Sequence, residues 1–315
     1  MSNKVAFVFP GQGSQSVGML AKLAEFSPVV RATFVEASGV LGYDLWRLCS
    51  EGPIEELNET ERTQPAMLVA GIATWRLWQE HHGVSPAIVT GHSLGEFTAL
   101  VAAGALDFAH CVELVRFRGR AMQEAVPKGA GAMAALLGLD DAQVEAACAE
   151  AAQGAVVEAV NFNSPGQVVI AGEKAAVLRA IDAAKTRGAK RAIELPVSVP
   201  SHSSLMKSAG VRLGERLAST EIRTPGIRYL SAVDATAHSD PDDIRGLLVR
   251  QLSSPVRWTQ TVTALSSGGA AYIVECGPGG VLSGLVKRIE KGRDTKGLSL
   301  DEPETFKAAL AAVAA

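Results

Sequence analysis

The first apolar run of the chain, in "KVAFVFPGQGSQ", does not alternate with polar residues and stops at Pro10. Runs of this kind are buried on both faces, so we expect a strand of a covered sheet that leads into a glycine-rich loop. "PAMLVAGIATWRLWQEHHG" predicts a helix with Pro65 near its start and Gly83 past its end, which leaves His81 and His82 closing a surface helix. "PAIVTGHSLGEFTALVAAGAL" passes from strand through a sharp turn to helix, and "FAHCVELVRFRGRAMQEAV" predicts another helix. Strands alternating with helices imply a mostly parallel sheet with both faces covered.

The pattern then changes. "GAMAALLGL" predicts a strand and "DDAQVEAACAEAAQG" a helix with acidic residues in its first turn. "AVVEAVNFN" and "GQVVIAG", joined by "SPG", predict a hairpin; "EKAAVLRAIDAAKTRG" predicts a helix and "AKRAIELPV" a strand. The order βαββαβ is that of the ferredoxin-like split unit. We therefore expect residues 128–198 to be a small domain inserted into a larger one formed by 1–127 and 199–315. Beyond it, "IRYLSAV" and "AAYIVEC" predict strands that return to the main sheet, "GPGGVLSGLVKRIEKG" a glycine turn and helix, and the C-terminus an alanine-rich helix.

Composition narrows the class. A chain of 315 residues, 47% of them hydrophobic, supports about two domains with sizeable cores. A net charge of −3 gives no footprint for nucleic acid or a membrane surface. Cys49, Cys111, Cys148 and Cys276 are widely spaced and form no CxxC pair, which argues against a zinc site or a disulfide framework and fits a reducing compartment. The N-terminal apolar run ends at Pro10, short of the roughly 7–15 apolar residues of a secretory signal. The expectation is a soluble cytoplasmic protein.

Candidate chemistry starts at Gly91-His92-Ser93-Leu94-Gly95, a G-x-S-x-G turn between a predicted strand and a predicted helix. In this context the serine hydroxyl is exposed at the carboxyl edge of the sheet, next to backbone N–H groups at a helix N-terminus. A serine nucleophile needs a base, usually histidine. His92 is adjacent to Ser93 and diverges from it at a tight turn; His110 lies in a first helical turn and His238 in the acidic loop "TAHSDPDD". His202, in the proline-fixed loop "ELPVSVPSHSSL", follows the serine in chain order, and the residues alone leave it as either the base or a loop cap. "GQGSQ" does not complete a dinucleotide fingerprint, because Ser16 stands where G-x-G-x-x-G requires glycine, and "FVFPGQGSQ" lacks a phosphate-loop lysine.

In "CVELVRFRGRAM", Arg116 and Arg120 share a face with Glu113 and Glu124, a solvated charge ladder. Arg118 falls instead in the row Cys111, Val115, Arg118, Met122, which is otherwise apolar. A charge pointing into a core requires an anion. That anion is either an internal carboxylate or a substrate carboxylate, for which a planar guanidinium fork is suited.

Taken together, "FVFPGQGSQ", "GHSLGE", "NFNSPGQVVIAG", "PSHS" and "VECGPGGVL" resemble, in order and over nearly the whole chain, the malonyl-CoA:acyl carrier protein transacylases of bacterial fatty acid synthesis. The resemblance implies an α/β-hydrolase-like large domain with parallel sheet and a ferredoxin-like insert. It implies Ser93 as nucleophile and His202 as base, oriented by a main-chain carbonyl at Gln251 in "RQLSSPVRW". It implies the backbone N–H groups of Gln12 and Leu94 as an oxyanion hole, and Arg118 as receptor of the malonyl carboxylate. Asn161, Asn163 and His92 fall near the substrate groove, and Leu94 after the serine matches a malonyl-type pattern. The partners implied are malonyl-CoA and acyl carrier protein, with no metal or bound cofactor. "KTRGAKR" and "KRIEKGR" are basic runs for an acidic carrier or for solvent. A serine hydrolase or thioesterase would use the same dyad; a catalytically idle carrier-binding module would need neither Ser93 nor His202.

Overall fold

In a computed structural model, residues 5–197 and 199–314 are described. Residues 1–4, Ser198 and Ala315 lie outside them, and with them the Lys4 start of the first predicted strand and the last residue of the predicted insert. The strands are β1 (Val5–Phe9), β2 (Ile88–Gly91), β3 (Gly131–Leu137), β4 (Val157–Ser164), β5 (Gln167–Glu173), β6 (Arg191–Glu194), β7 (Arg228–Ser231), β8 (Thr236–His238), β9 (Tyr272–Glu275) and β10 (Lys296–Ser299). They form two sheets, ordered β10-β9-β1-β2-β7-β8 and β4-β5-β3-β6. The first is parallel except for β8, which runs antiparallel to β7. The second is antiparallel throughout.

β1 is apolar at every position because the main sheet is covered on both faces. Val5, Phe7 and Phe9 face one large core, where Phe7 meets Trp75 and Trp78 edge-on. Ala6 and Val8 face the opposite core, with Trp258 and Val262. In the second sheet, helices Asp141–Ala152 and Lys174–Thr186 cover one face through Val144, Ala147, Val177 and Ala180. The strand order and helix placement are ferredoxin-like. The other face, with Met133, Val160 and Val169, turns toward the large domain. β4 is tied to the segment before helix Trp258–Ser267 by Val256 N–H donating to Val160 O at 2.8 Å and Phe162 N–H donating to Val256 O at 3.0 Å.

Three local expectations are corrected. The helix expected from Pro65 begins at Thr60, with Pro65 inside it, and runs to Glu80. It is also a core helix, buried almost all round from Thr63 to Trp78, so His81 and His82 follow a buried element; His81 stacks on Phe26 at 5.3 Å. An all-round apolar helix has no solvent stripe to mark where it starts. His238 ends the edge strand β8 instead of lying in a loop, with Nε2 3.1 Å from Asp234 Oδ2. Arg116 and Arg120 do not ladder with Glu113 and Glu124. Arg120 meets Glu61, Arg116 donates to Leu41 O, and the two glutamates pair with Arg216 and Arg212 of the neighbouring helix Lys207–Ala218.

The central turn follows from close packing. A Cβ at Gly95 would overlap the carbonyl oxygen of Phe9, and one at Gly91 would overlap the backbone of Gly95. Gly95→Ala is therefore expected to lower stability by about 1–3 kcal/mol or more, the usual cost of overpacking. Gly39→Ala, in an exposed helical position with open space around it, is expected to be neutral or stabilising by up to about 1 kcal/mol. Denaturant midpoints of the two variants against wild type check both.

Candidate active site

β1 and β2 are parallel neighbours, with Phe9 opposite Gly91. Their carboxyl ends therefore release two loops side by side, Pro10–Gln12 and His92–Leu94, at the edge where α/β sheets bind ligands. Ser93 has φ 52°, a left-handed conformation rare for a non-glycine residue and costly unless its surroundings impose it. Helix Gly95–Ala102 starts immediately after it. A Cβ built on Gly11 would overlap His92 O and would stand 3.7 Å from Leu94 N, so only glycine lets the first loop lie against the second. Among the described residues, no acceptor is hydrogen-bonded to the backbone N–H of Gln12 or Leu94. The Gln12 side chain is turned away to Thr60 Oγ1, at 3.3 Å.

His202 Nε2 lies 2.7 Å from Ser93 Oγ, and its Nδ1 lies 2.8 Å from the main-chain oxygen of Gln251. A carbonyl only accepts, so Nδ1 carries the proton; Nε2 is left bare and accepts from the serine hydroxyl. His202 is itself left-handed, at φ 66°, in the loop just before the short helix Ser204–Met206. Ser204 N–H donates to Glu158 Oε2 of β4 at 2.7 Å. Burial first, and the neighbouring Arg118 charge second, hold His202 down at about 3, against the opposing bond to Gln251 O. The imidazole is neutral at neutral pH.

Arg118 is 1% exposed, in helix Phe108–Glu124, with Cys111, Val115 and Met122 buried in the same row. Among the described residues it makes no ion pair within 4.0 Å. Its Nη2 donates to Gln251 Oε1 at 2.8 Å and reaches Ser93 Oγ at 3.4 Å, while its buried Nε has no partner. Burial lowers its pKa to about 10, opposed by the charge of Glu96, so it stays a cation at neutral pH. Gln251 Nε2 donates to Ser93 O at 3.0 Å and to Glu96 Oε1 at 2.8 Å, and Tyr229 OH donates to Glu96 Oε2.

These groups border a cavity of about 500 Å³ between the two sheets, lined by Gln12, Ser93 and Arg118 from one side and Met133, Asn161 and Val169 from the other. His92 also borders it; its Nε2 faces Asn163 Oδ1 at 2.8 Å, its ring lies against Trp258, and burial lowers its pKa. Asn161 is buried with its Oδ1 unpartnered. The structure thus brings Ser93, His202, Gln12, Leu94, Arg118, Asn161 and His92 to one cavity, with Gln251 behind them, bonded to Arg118 and His202. The basic runs do not line the cavity and are partly occupied: Lys185 meets Asp182, Arg187 meets Glu150, and Arg288 donates to Gln167, which does line it.

Sequence reasoning missed the Gln251 side chain, Glu96 and Tyr229. Glu96 carried a signal, since an acid in the first turn of a helix that is otherwise apolar is an acid headed for burial. Tyr229, inside an apolar strand, carried none. Chemically, the site holds a hydroxyl on a neutral base, two free backbone donors beside that hydroxyl, and a buried cation with donor capacity to spare.

The chain is similar to known acyl transferases. The acyl transferase domain family matches residues 6–298. The malonyl CoA-acyl carrier protein transacylase of Escherichia coli is 56% identical over 306 residues, 97% of this chain and 98% of that one; the Bacillus subtilis protein of the same name is 44% identical over 98% of this chain and 96% of its own. The crystal structure of an acyl carrier protein S-malonyltransferase from Vibrio cholerae has a TM-score of 0.93 at 55% identity, covering 97% of this chain and 99% of that one. A type II PKS acyl-carrier protein in complex with its malonyl-transacylase has a TM-score of 0.96 at 52% identity, covering 98% and 99%.

The electrostatics around His202 give a direct expectation. Its folded pKa of about 3 lies below the ordinary 6.5. Between those values the unfolded chain takes up a proton that the folded chain refuses, so this group makes folding less favourable as the pH falls through that window. Nuclear magnetic resonance titration should show the His202 ring neutral throughout the range in which an exposed histidine titrates. Arg118→Gln should move its titration upward, because the second largest of the lowering causes is removed.

Proposed function

This chain belongs to the acyl transferase domain family, and from that premise we infer that it moves a malonyl group from malonyl-CoA, through an ester on Ser93, to the phosphopantetheine thiol of acyl carrier protein. The observation that carries the reading is Arg118, a buried cation with an unpartnered N–H, in the same cavity as Ser93. A site for neutral acyl groups has no use for such a charge, whereas a malonyl thioester brings the carboxylate that it lacks. The relatives named as malonyl transacylases, one solved with its carrier protein, support the same substrates.

In the first half-reaction, Ser93 Oγ attacks the thioester carbonyl carbon as its proton passes to His202 Nε2. The oxyanion that forms is met by the N–H groups of Gln12 and Leu94, which need no rearrangement to receive it. The intermediate collapses, the C–S bond breaks, and His202 returns the proton to the departing coenzyme A thiolate. In the second, the carrier's thiol gives its proton to His202 and its sulfur attacks the serine ester. The C–O bond breaks and Ser93 recovers its proton. No water is consumed and the enzyme ends as it began. A malonyl carboxylate on Arg118 offsets the positive charge that depresses His202, so the base strengthens when the right substrate is seated. Asn161 and His92 contribute to the cavity wall that holds the acyl and pantetheine parts.

On the same reading, residues 128–198 form an inserted domain that closes the cavity from above, and 1–127 with 199–315 form the catalytic domain. No described helix is long and apolar enough to cross a membrane. A cytoplasmic place in fatty acid synthesis suits four buried, free cysteines.

Malonyl-CoA alone should leave a malonyl adduct on the wild-type protein, seen by intact mass, and none on Ser93→Ala; equal adduct on both would overturn the nucleophile. His202→Ala should slow acylation by about 10²–10⁴-fold with folding preserved. Arg118→Ala should lose roughly two orders of magnitude or more in kcat/KM for malonyl-CoA, the cost of a stranded buried carboxylate, and should retain or gain activity with acetyl-CoA. Equal losses on both substrates with a large fall in Tm would reduce Arg118 to a structural residue.

A further inference from the structure

A guanidinium as deeply buried as that of Arg118 is ordinarily matched by a carboxylate in direct contact. Here the nearest charge compensation is indirect. Gln251 stands between, accepting from Arg118 Nη2 at 2.8 Å through Oε1 and donating to Glu96 Oε1 at 2.8 Å through Nε2. Glu96 is itself 1% exposed and is fixed on its other oxygen by Tyr229, which is wholly buried. Burial raises the Glu96 pKa, and the bonds from Tyr229 and Gln251 oppose that rise. A direct Glu96–Arg118 pair would occupy the donor edges of the fork. The amide spacer engages Nη2 alone and leaves Nε unpartnered.

We propose that Glu96, held by Tyr229, is a positioning residue for acyl selection: through the Gln251 amide it fixes the Arg118 guanidinium without using the N–H groups that meet the substrate carboxylate. The proposal rests on the reading that Arg118 receives the malonyl carboxylate. Two features of the relay make it effective. Glu96 Oε1 accepts from the amide nitrogen at 2.8 Å while Tyr229 holds the other oxygen, so the amide is anchored. Polarisation of the amide by that bond makes its oxygen a better acceptor for the guanidinium. Because the same amide also donates to Ser93 O, 3.0 Å away, the carboxylate receptor is set in register with the nucleophile's own backbone.

The test measures kcat and KM for malonyl-CoA and acetyl-CoA, with Tm, on wild type, Tyr229→Phe, Glu96→Gln and Glu96→Leu. Tyr229→Phe removes one oxygen and keeps the ring in the core, so it remains informative where Glu96→Leu fails to fold. Expected is a fall in kcat/KM for malonyl-CoA about tenfold greater than that for acetyl-CoA in Tyr229→Phe and Glu96→Gln, carried mainly by KM. Glu96→Gln, which still offers an oxygen to the amide, should keep more of the malonyl preference than Glu96→Leu. Equal losses on both substrates, or an unchanged preference in folded Tyr229→Phe and Glu96→Gln, would overturn the proposal while leaving Arg118 as receptor. A wild-type enzyme that forms no malonyl adduct would overturn the reading beneath it.

Discussion

Everything at this site is arranged around a full positive charge buried next to a neutral base. Arg118 and His202 share one cavity: the cation opposes protonation of the imidazole, and burial opposes the cation. The fold resolves the conflict with groups that carry no net charge at the point of contact. A main-chain carbonyl, and not a carboxylate, sets the tautomer of His202. An amide, and not a carboxylate, touches Arg118. Both come from Gln251, so one residue orients the base and the cation together.

This economy accounts for the missing third acid. A carboxylate at His202 Nδ1 would strengthen the base at all times and would also compete for Arg118. The carbonyl gives orientation without that competition, and on the function proposed above the substrate's own carboxylate supplies the charge when it arrives. The selectivity of the site and the strength of its base are thereby linked, which suits an enzyme that must acylate itself with one acyl group and then keep that ester for a thiol acceptor.

How much of this could be read from the sequence depended on whether a residue's role was local. The Ser93 turn was legible because its glycines are demanded by backbone contacts within a few residues of it and by the adjacent strand β1. Arg118 was legible because helical spacing alone places it in an apolar row. The ferredoxin-like order was legible because glycines and turn residues such as "SPG" separate its elements. His202 needed the resemblance, since nothing local separates a catalytic histidine from a loop cap; its partners lie at Ser93 and Gln251, far along the chain. The Glu96–Tyr229 contact joins a helix to a distant strand, and no spacing rule reports it. The Thr60 start of the helix and the short strands β8 and β10 were missed for simpler reasons: a helix buried almost all round hides its boundary, and strands of three or four residues show no alternation.

The two members of the dyad stand on different supports. Ser93 sits on the main sheet, locked between β2 and the helix after it. Two residues after His202, the Ser204 N–H is held by Glu158 of β4, and the segment that continues from Gln251 is stitched to the same strand through Val256. The base and the carbonyl that aims it thus stand between the two sheets, tied to the smaller one by these bonds and to the main one by the Gln251 side chain on Ser93 O and Glu96. The gap between Nε2 and Oγ is in this sense a gauge of how the two sheets are docked, and the width of the cavity and the readiness of the nucleophile are set by the same coordinate.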